Sequence, residues 1–122
     1  MVIDDEQALV TLATQTLTDL GYSAVGFTSS AKAIEAFLLA PQSFDAVITD
    51  ESMPGASGSD VIRRIRGTQS SVPIILVSGY LTTAVIERAR EAGASEVLKK
   101  PLPARELQLA LERVLSPASG TR

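Results

Sequence analysis

The chain has 122 residues, 14 acidic and 11 basic side chains, a net charge of −3 and 45% hydrophobic residues. That balance suits one soluble domain. The negative charge speaks against direct nucleic-acid binding, which needs a basic face. No apolar run approaches the ~20 residues of a membrane span, so no membrane insertion is expected. Asp4, Asp5 and Glu6 interrupt the N-terminus at once, so no signal peptide is expected and the expected compartment is the cytoplasm. The chain has neither cysteine nor histidine. This excludes disulfides, thiolate nucleophiles, zinc–thiolate sites, imidazole bases and a phosphohistidine of its own. The chemistry left to it uses carboxylates, hydroxyls, lysines and backbone amides. Any metal should be a hard, oxygen-preferring ion such as Mg²⁺.

In chain order, Met1-Val2-Ile3 is a short apolar start that ends at Asp4-Asp5. A helix follows, with Leu9, Leu12, Ala13, Thr16, Leu17 and Leu20 on one face and Gly21 as its stop. Ala24 to Phe27 reads as a second strand. Ser29 or Ser30 caps a helix carrying Ala33, Ile34, Phe37 and Leu38. Ala46 to Thr49 is a third strand ending at Asp50, and the run from Glu51 to Gly58 is turn-rich. Val61, Ile62 and Ile65 mark a helix that stops at Gly67. Pro73 opens a nearly all-apolar strand, Ile74 to Val77, as expected where both faces are covered. Thr82 to Ala92 is a helix closed by Gly93. Glu96 to Leu98 is a brief fifth strand, and the last helix runs from about Ala104 to Leu115, with Leu107, Ala110, Leu111 and Val114 inward. Residues 1–115 are expected to form the domain and 116–122 a frayed tail. Five strand–helix alternations with short links predict a single α/β domain, a parallel sheet with helices on both faces.

Ligands of open parallel sheets bind beyond the carboxyl ends of the strands. Asp4 and Asp5 follow strand one, Asp50 strand three, Ser78 strand four and Lys100 strand five. Taken singly, each has an ordinary structural reading. Asp4 and Gln7 have capping-box spacing, Asp50 could open an Asx turn, Ser78 could be a turn residue before Gly79, and Lys99-Lys100 could be a solvated pair. Together they put three carboxylates, a hydroxyl and an ammonium at one sheet edge. Carboxylates so placed repel one another unless a cation lies among them. An Asp carboxylate there is a competent covalent phosphoryl acceptor.

With these residues in place, the sequence resembles the receiver domains of two-component response regulators. The resemblance spans essentially the whole chain. It rests on Val2-Ile3-Asp4-Asp5-Glu6, Thr49 to Gly55, Gly58, Leu76-Val77-Ser78-Gly79-Tyr80, Gly93-Ala94 and Lys100-Pro101-Leu102. It implies a flavodoxin-like (βα)₅ doubly wound fold with strand order 2-1-3-4-5. It implies Asp50 as phosphoacceptor, Ser78 as switch hydroxyl and Lys100 as the phosphate-contacting lysine, followed by a cis bond to Pro101. Mg²⁺ would be held by Asp5, Asp50 and the backbone carbonyl of Ser52, and by Asp4 through water. The implied phosphodonor is a histidine kinase or phosphotransfer domain, with the downstream partner or linked domain unspecified. The implied role is a switch that is not itself an enzyme acting on other molecules.

Three departures accompany the resemblance. The first strand is short, so Met1 reads as an expression start or an early boundary of a longer chain; Ser78-Gly79-Tyr80 with Met53-Pro54-Gly55 looks like receivers attached to sensor histidine kinases, with a stand-alone or effector-linked regulator as the other context. The family's switch aromatic falls at Val97, too small to report by a ring movement. Lys99 is a second candidate lysine, but only Lys100 directly precedes Pro101. Val97 is the main support for the alternative reading, an interaction module of the same fold that is not phosphorylated. A haloacid-dehalogenase-type phosphatase would need a second Asp where Ser52 stands. The glycine-rich loops of nucleotide binders are absent.

Overall fold

The computed structural model describes residues 1–116. Of the expected tail, 117–122 lies outside the described residues. The elements are β1 (Val2–Ile3), α1 (Gln7–Asp19), β2 (Gly26–Phe27), α2 (Ser30–Leu39), β3 (Val47–Asp50), α3 (Gly58–Arg66), β4 (Ile74–Ser78), α4 (Thr83–Ala92), β5 (Glu96–Lys99) and α5 (Ala104–Leu115). The strands form one parallel sheet in the order β2-β1-β3-β4-β5, as the resemblance implies. A 3₁₀ turn at Pro41–Ser43, not expected from the sequence, links α2 to β3.

Alternation along the strands sorts their side chains to two faces. Ile3, Val47, Ile74 and Leu76 pack with Phe37, Val61, Ile62, Ile65 and Ala89, the face covered by α2, α3 and α4. Val2, Ile48, Ile75 and Val77 pack with Leu17, Leu107, Ala110 and Leu111, the face covered by α1 and α5. β4 is buried throughout, which is why its sequence shows no polar alternation.

The helix signals are local and hold in most cases. Ser29 Oγ accepts from Lys32 N at 3.2 Å, so Ser29 rather than Ser30 caps α2. Thr82 caps α4 and Gly93 ends it at φ 114°. Ser57 and Asp60 form a reciprocal capping box on α3. The capping-box spacing of Asp4 and Gln7 is not used. Asp4 Oδ1 accepts instead from Glu6 N at 3.0 Å, a local Asx-type turn, and Glu6 is the cap residue of α1.

The inward face of α1 also differs from expectation. Leu17 is buried and Ala13 packs against the core as expected, but Leu12 is 64% exposed and Val10, outside the expected face, is buried. The helix is rotated so that Val10 lies against Gly26 of β2, where a Cβ would collide with the Val10 side chain. The close approach of β2, not the apolar pattern, sets the face. β2 is itself shorter than Ala24–Phe27. Val25 contributes only its carbonyl, accepting from Val2 N at 2.9 Å.

Candidate functional site

The carboxyl edge of the sheet gathers the charged residues because parallel strands all end there. Asp50 is the last residue of β3 and Ser78 the last of β4. Asp4 and Asp5 follow β1, and Lys100 follows β5, its backbone N–H donating to Ser78 O at 2.9 Å. β1, β3 and β4 are neighbours, so their ends converge without any long loop.

One carboxylate oxygen each from Asp4, Asp5 and Asp50 lies within 4.8 Å of the others. Lys100 Nζ donates to Asp4 Oδ2 at 2.8 Å and lies 3.0 Å from Asp50 Oδ1. Asp4 and Asp50 are buried and Asp5 is exposed. Three carboxylates face one ammonium, so the cluster carries excess negative charge. Its donors are all oxygens, and a hard divalent cation fits such a set. The residues present therefore suit Mg²⁺, and the cluster could hold a metal ion.

The electrostatics follow the geometry. Burial holds the Asp50 carboxyl above its ordinary value of 3.8; the hydrogen bond and charge of Lys100 pull it down, and the charges of Asp4 and Asp5 push it further up. For Lys100 burial acts to lower the pKa. The hydrogen bonds and charges of Asp4 and Asp50 together outweigh that and hold it above 10.5. An ammonium that stays charged beside carboxylates that repel each other is ready to meet a further anion.

Ser78 is buried, and its hydroxyl is engaged within its own loop. Oγ donates to Tyr80 O at 3.0 Å and accepts from Tyr80 N at 3.1 Å. Tyr80 is 80% exposed. Ser52 is exposed, in the loop after β3. The Lys100–Pro101 peptide is cis. Val97 is half-buried against the α2–α3–α4 side of the core.

Sequence reasoning missed one arrangement beside the site. Glu51, read as part of a turn-rich loop, is buried. Its Oε1 accepts from Ser59 N at 2.8 Å and Ser59 Oγ at 3.0 Å, and its Oε2 from Arg88 Nη2 at 3.0 Å. Nothing in the spacing of Glu51, Ser59 and Arg88 signals this, because three separate elements bring them together.

Residues 1–112 match the family model described as "Response regulator receiver domain". Over 116 residues the chain is 36% identical to the DNA-binding transcriptional regulator NtrC of Azospirillum brasilense, covering 95% of this chain and 24% of that protein. It is 27% identical to the chemotaxis protein CheY of Pseudomonas aeruginosa, covering 98% of each. A response regulator receiver domain protein from Clostridium thermocellum superposes with a TM-score of 0.90 at 30% identity, over 97% of this chain and 94% of that one. The chain thus spans about a quarter of the NtrC relative and nearly all of the CheY relative. Fold, site geometry and these likenesses agree: the chain belongs to the response regulator receiver domain family, the phospho-acceptor signalling domains of two-component systems.

Proposed function

We propose that Asp50 is the residue that accepts the phosphoryl group, from a phosphohistidine of a histidine kinase or phosphotransfer domain. The observation that carries this is Lys100 Nζ at 3.0 Å from Asp50 Oδ1, within a cluster where Asp4 and Asp5 converge on the same point. In the transfer, an Asp50 carboxylate oxygen bonds to phosphorus as the donor's P–N bond breaks, and the electron pair leaves with the imidazole. Lys100 can turn its ammonium from the two carboxylates to a phosphoryl oxygen, as a point charge. Ser78 Oγ can exchange its bond to Tyr80 O for one to a phosphoryl oxygen.

Asp5, Asp50 and the Ser52 carbonyl would hold Mg²⁺, with Asp4 acting through water. When bound, the ion supplies positive charge against the phosphoryl oxygens. Within this reading, residues 1–115 are the switching unit, working in the cytoplasm and catalysing only changes of its own phosphorylation. It serves a longer regulator, a hybrid sensor kinase or a separate partner.

The test is intact mass after treatment with a small acyl phosphate. Wild type should gain one phosphoryl mass only with Mg²⁺, and Asp50→Asn should gain none. A mass gain retained in Asp50→Asn overturns the assignment.

A further inference from the structure

Helix α4 is lightly anchored. Its buried side chains are Ala89 and Ala92, whereas α3 buries Val61, Ile62 and Ile65. Val85 and Ile86 are half-buried. Two methyl groups remove little apolar surface from water, so a polar tether counts for more in α4 than in its neighbour. Arg66 holds the C-terminal end of α4 through Gly93 O, and the tether within the helix is Arg88 Nη2 on Glu51 Oε2 at 3.0 Å.

Glu51 is the fixed end. Its N–H donates to Val77 O at 3.1 Å and its carbonyl accepts from Gly58 N at 3.0 Å. Its carboxylate is held by Ser59 at the start of α3. It also directly follows Asp50. For Ser78 Oγ to donate to a phosphoryl group on Asp50, its bond to Tyr80 O must break, which loosens the 78–82 loop. That loop runs straight into α4 at Thr83. A shift of the first turn of α4 pulls against Arg88.

We propose that Arg88 acts through Glu51 as a positioning residue, a latch that holds α4 and the Ser78 loop in the arrangement described and opposes the phosphorylated one. This rests on Asp50 being the acceptor. By linkage, whatever favours one arrangement weakens a ligand that favours the other. Removing the latch therefore strengthens the response to a phosphoryl group or its mimic. Arg88 is half-exposed, and a pair of that kind corresponds to a factor of about two to five.

The experiment is a titration with beryllofluoride in excess Mg²⁺, followed through the backbone amides of residues 78–84. Arg88→Met should reach half-saturation at about two- to fivefold lower concentration than wild type, and Glu51→Gln should do the same. The double variant should gain little more, because both changes remove one interaction. Arg88→Lys should restore wild-type behaviour, since a single nitrogen makes the contact. Raising the ionic strength should close the gap between Arg88→Met and wild type, because salt screens the pair. Equal or weaker binding by Arg88→Met, with wild type responding normally, overturns the latch. So does a gap that neither salt nor lysine affects, which would make Arg88 a packing residue only. If wild type neither binds beryllofluoride nor gains mass at Asp50, the acceptor reading falls, and the latch with it.

Discussion

The Lys100 ammonium reaches the Asp4 carboxylate at 2.8 Å across 96 positions of sequence, and in the same pose lies 3.0 Å from Asp50. One side chain just past the last strand thus holds together two buried carboxylates at the ends of the first and third. Such a bridge is asymmetric in energy. Removing the cation leaves two buried acceptors facing each other, which costs more than the bridge contributes when intact.

Lys100→Met should therefore destabilise the fold in metal-free buffer by about 1–3 kcal/mol, read from urea denaturation. Mg²⁺ should recover more stability in Lys100→Met than in wild type, because it then neutralises the whole cluster. A ligand at 100 times its dissociation constant adds about 2.7 kcal/mol by mass action. Asp5→Ala should lose most of the Mg²⁺ effect in either background. Equal Mg²⁺ responses in wild type and Asp5→Ala would show that the ion binds elsewhere.

Ser78→Ala should still accept a phosphoryl group on Asp50, because the proposed acceptor, the other carboxylates and Lys100 remain. It should lose most of the amide shift changes over residues 78–84 that follow phosphorylation, since no hydroxyl exchanges Tyr80 for the phosphoryl oxygen. Val97 is too small and too stiff at χ1 to substitute for this path. Large shifts centred on Val97 and α5, with 78–84 quiet, would refute the expectation.

Arg66 is a structural hub far from this chemistry. Its guanidinium donates to Gly93 O at 2.9 and 3.1 Å, to Ser70 O at 3.0 Å and to Val72 O at 2.7 Å. It thereby joins the end of α3 to the end of α4 and to the chain entering β4. Arg66→Ala should cost about 2–4 kcal/mol by urea denaturation, and Arg66→Lys nearly as much, because an ammonium cannot reproduce the fork. The phosphoryl mass gain on Asp50 should survive in the folded fraction of both.

The Glu96–Arg113 pair on the outer strand is bidentate, at 2.7 and 2.8 Å. The hydrogen bonds and charge of Arg113 hold the Glu96 carboxyl below its ordinary value of 4.5, with burial opposing them. A carboxyl lowered in the folded state adds stability above its unfolded pKa and loses it as pH falls through the folded value. Wild type should therefore exceed Arg113→Met by a small margin at neutral pH, the size of an exposed pair. The margin should shrink as pH drops below about 4.5. A margin that grew in acid would contradict the pairing.

Much of this molecule is readable along the chain, for a physical reason. Strand and helix periods, the serine and threonine caps, and Gly93 in its left-handed turn depend on residues a few positions apart. Parallel strands joined by right-handed crossovers then send Asp4, Asp5, Asp50, Ser78 and Lys100 to one edge, so the sequence by itself determined that they gather there. Only the tertiary structure decided which face of α1 turns inward, because the answer depends on how closely Gly26 admits Val10. The same holds for the poses of Lys100 between Asp4 and Asp50, of Ser78 on Tyr80, and of Glu51 between Ser59 and Arg88. An ion pair between distant elements leaves no period and no fixed spacing. It exists only where packing brings two side chains within about 3 Å and removes enough water for the pairing to matter.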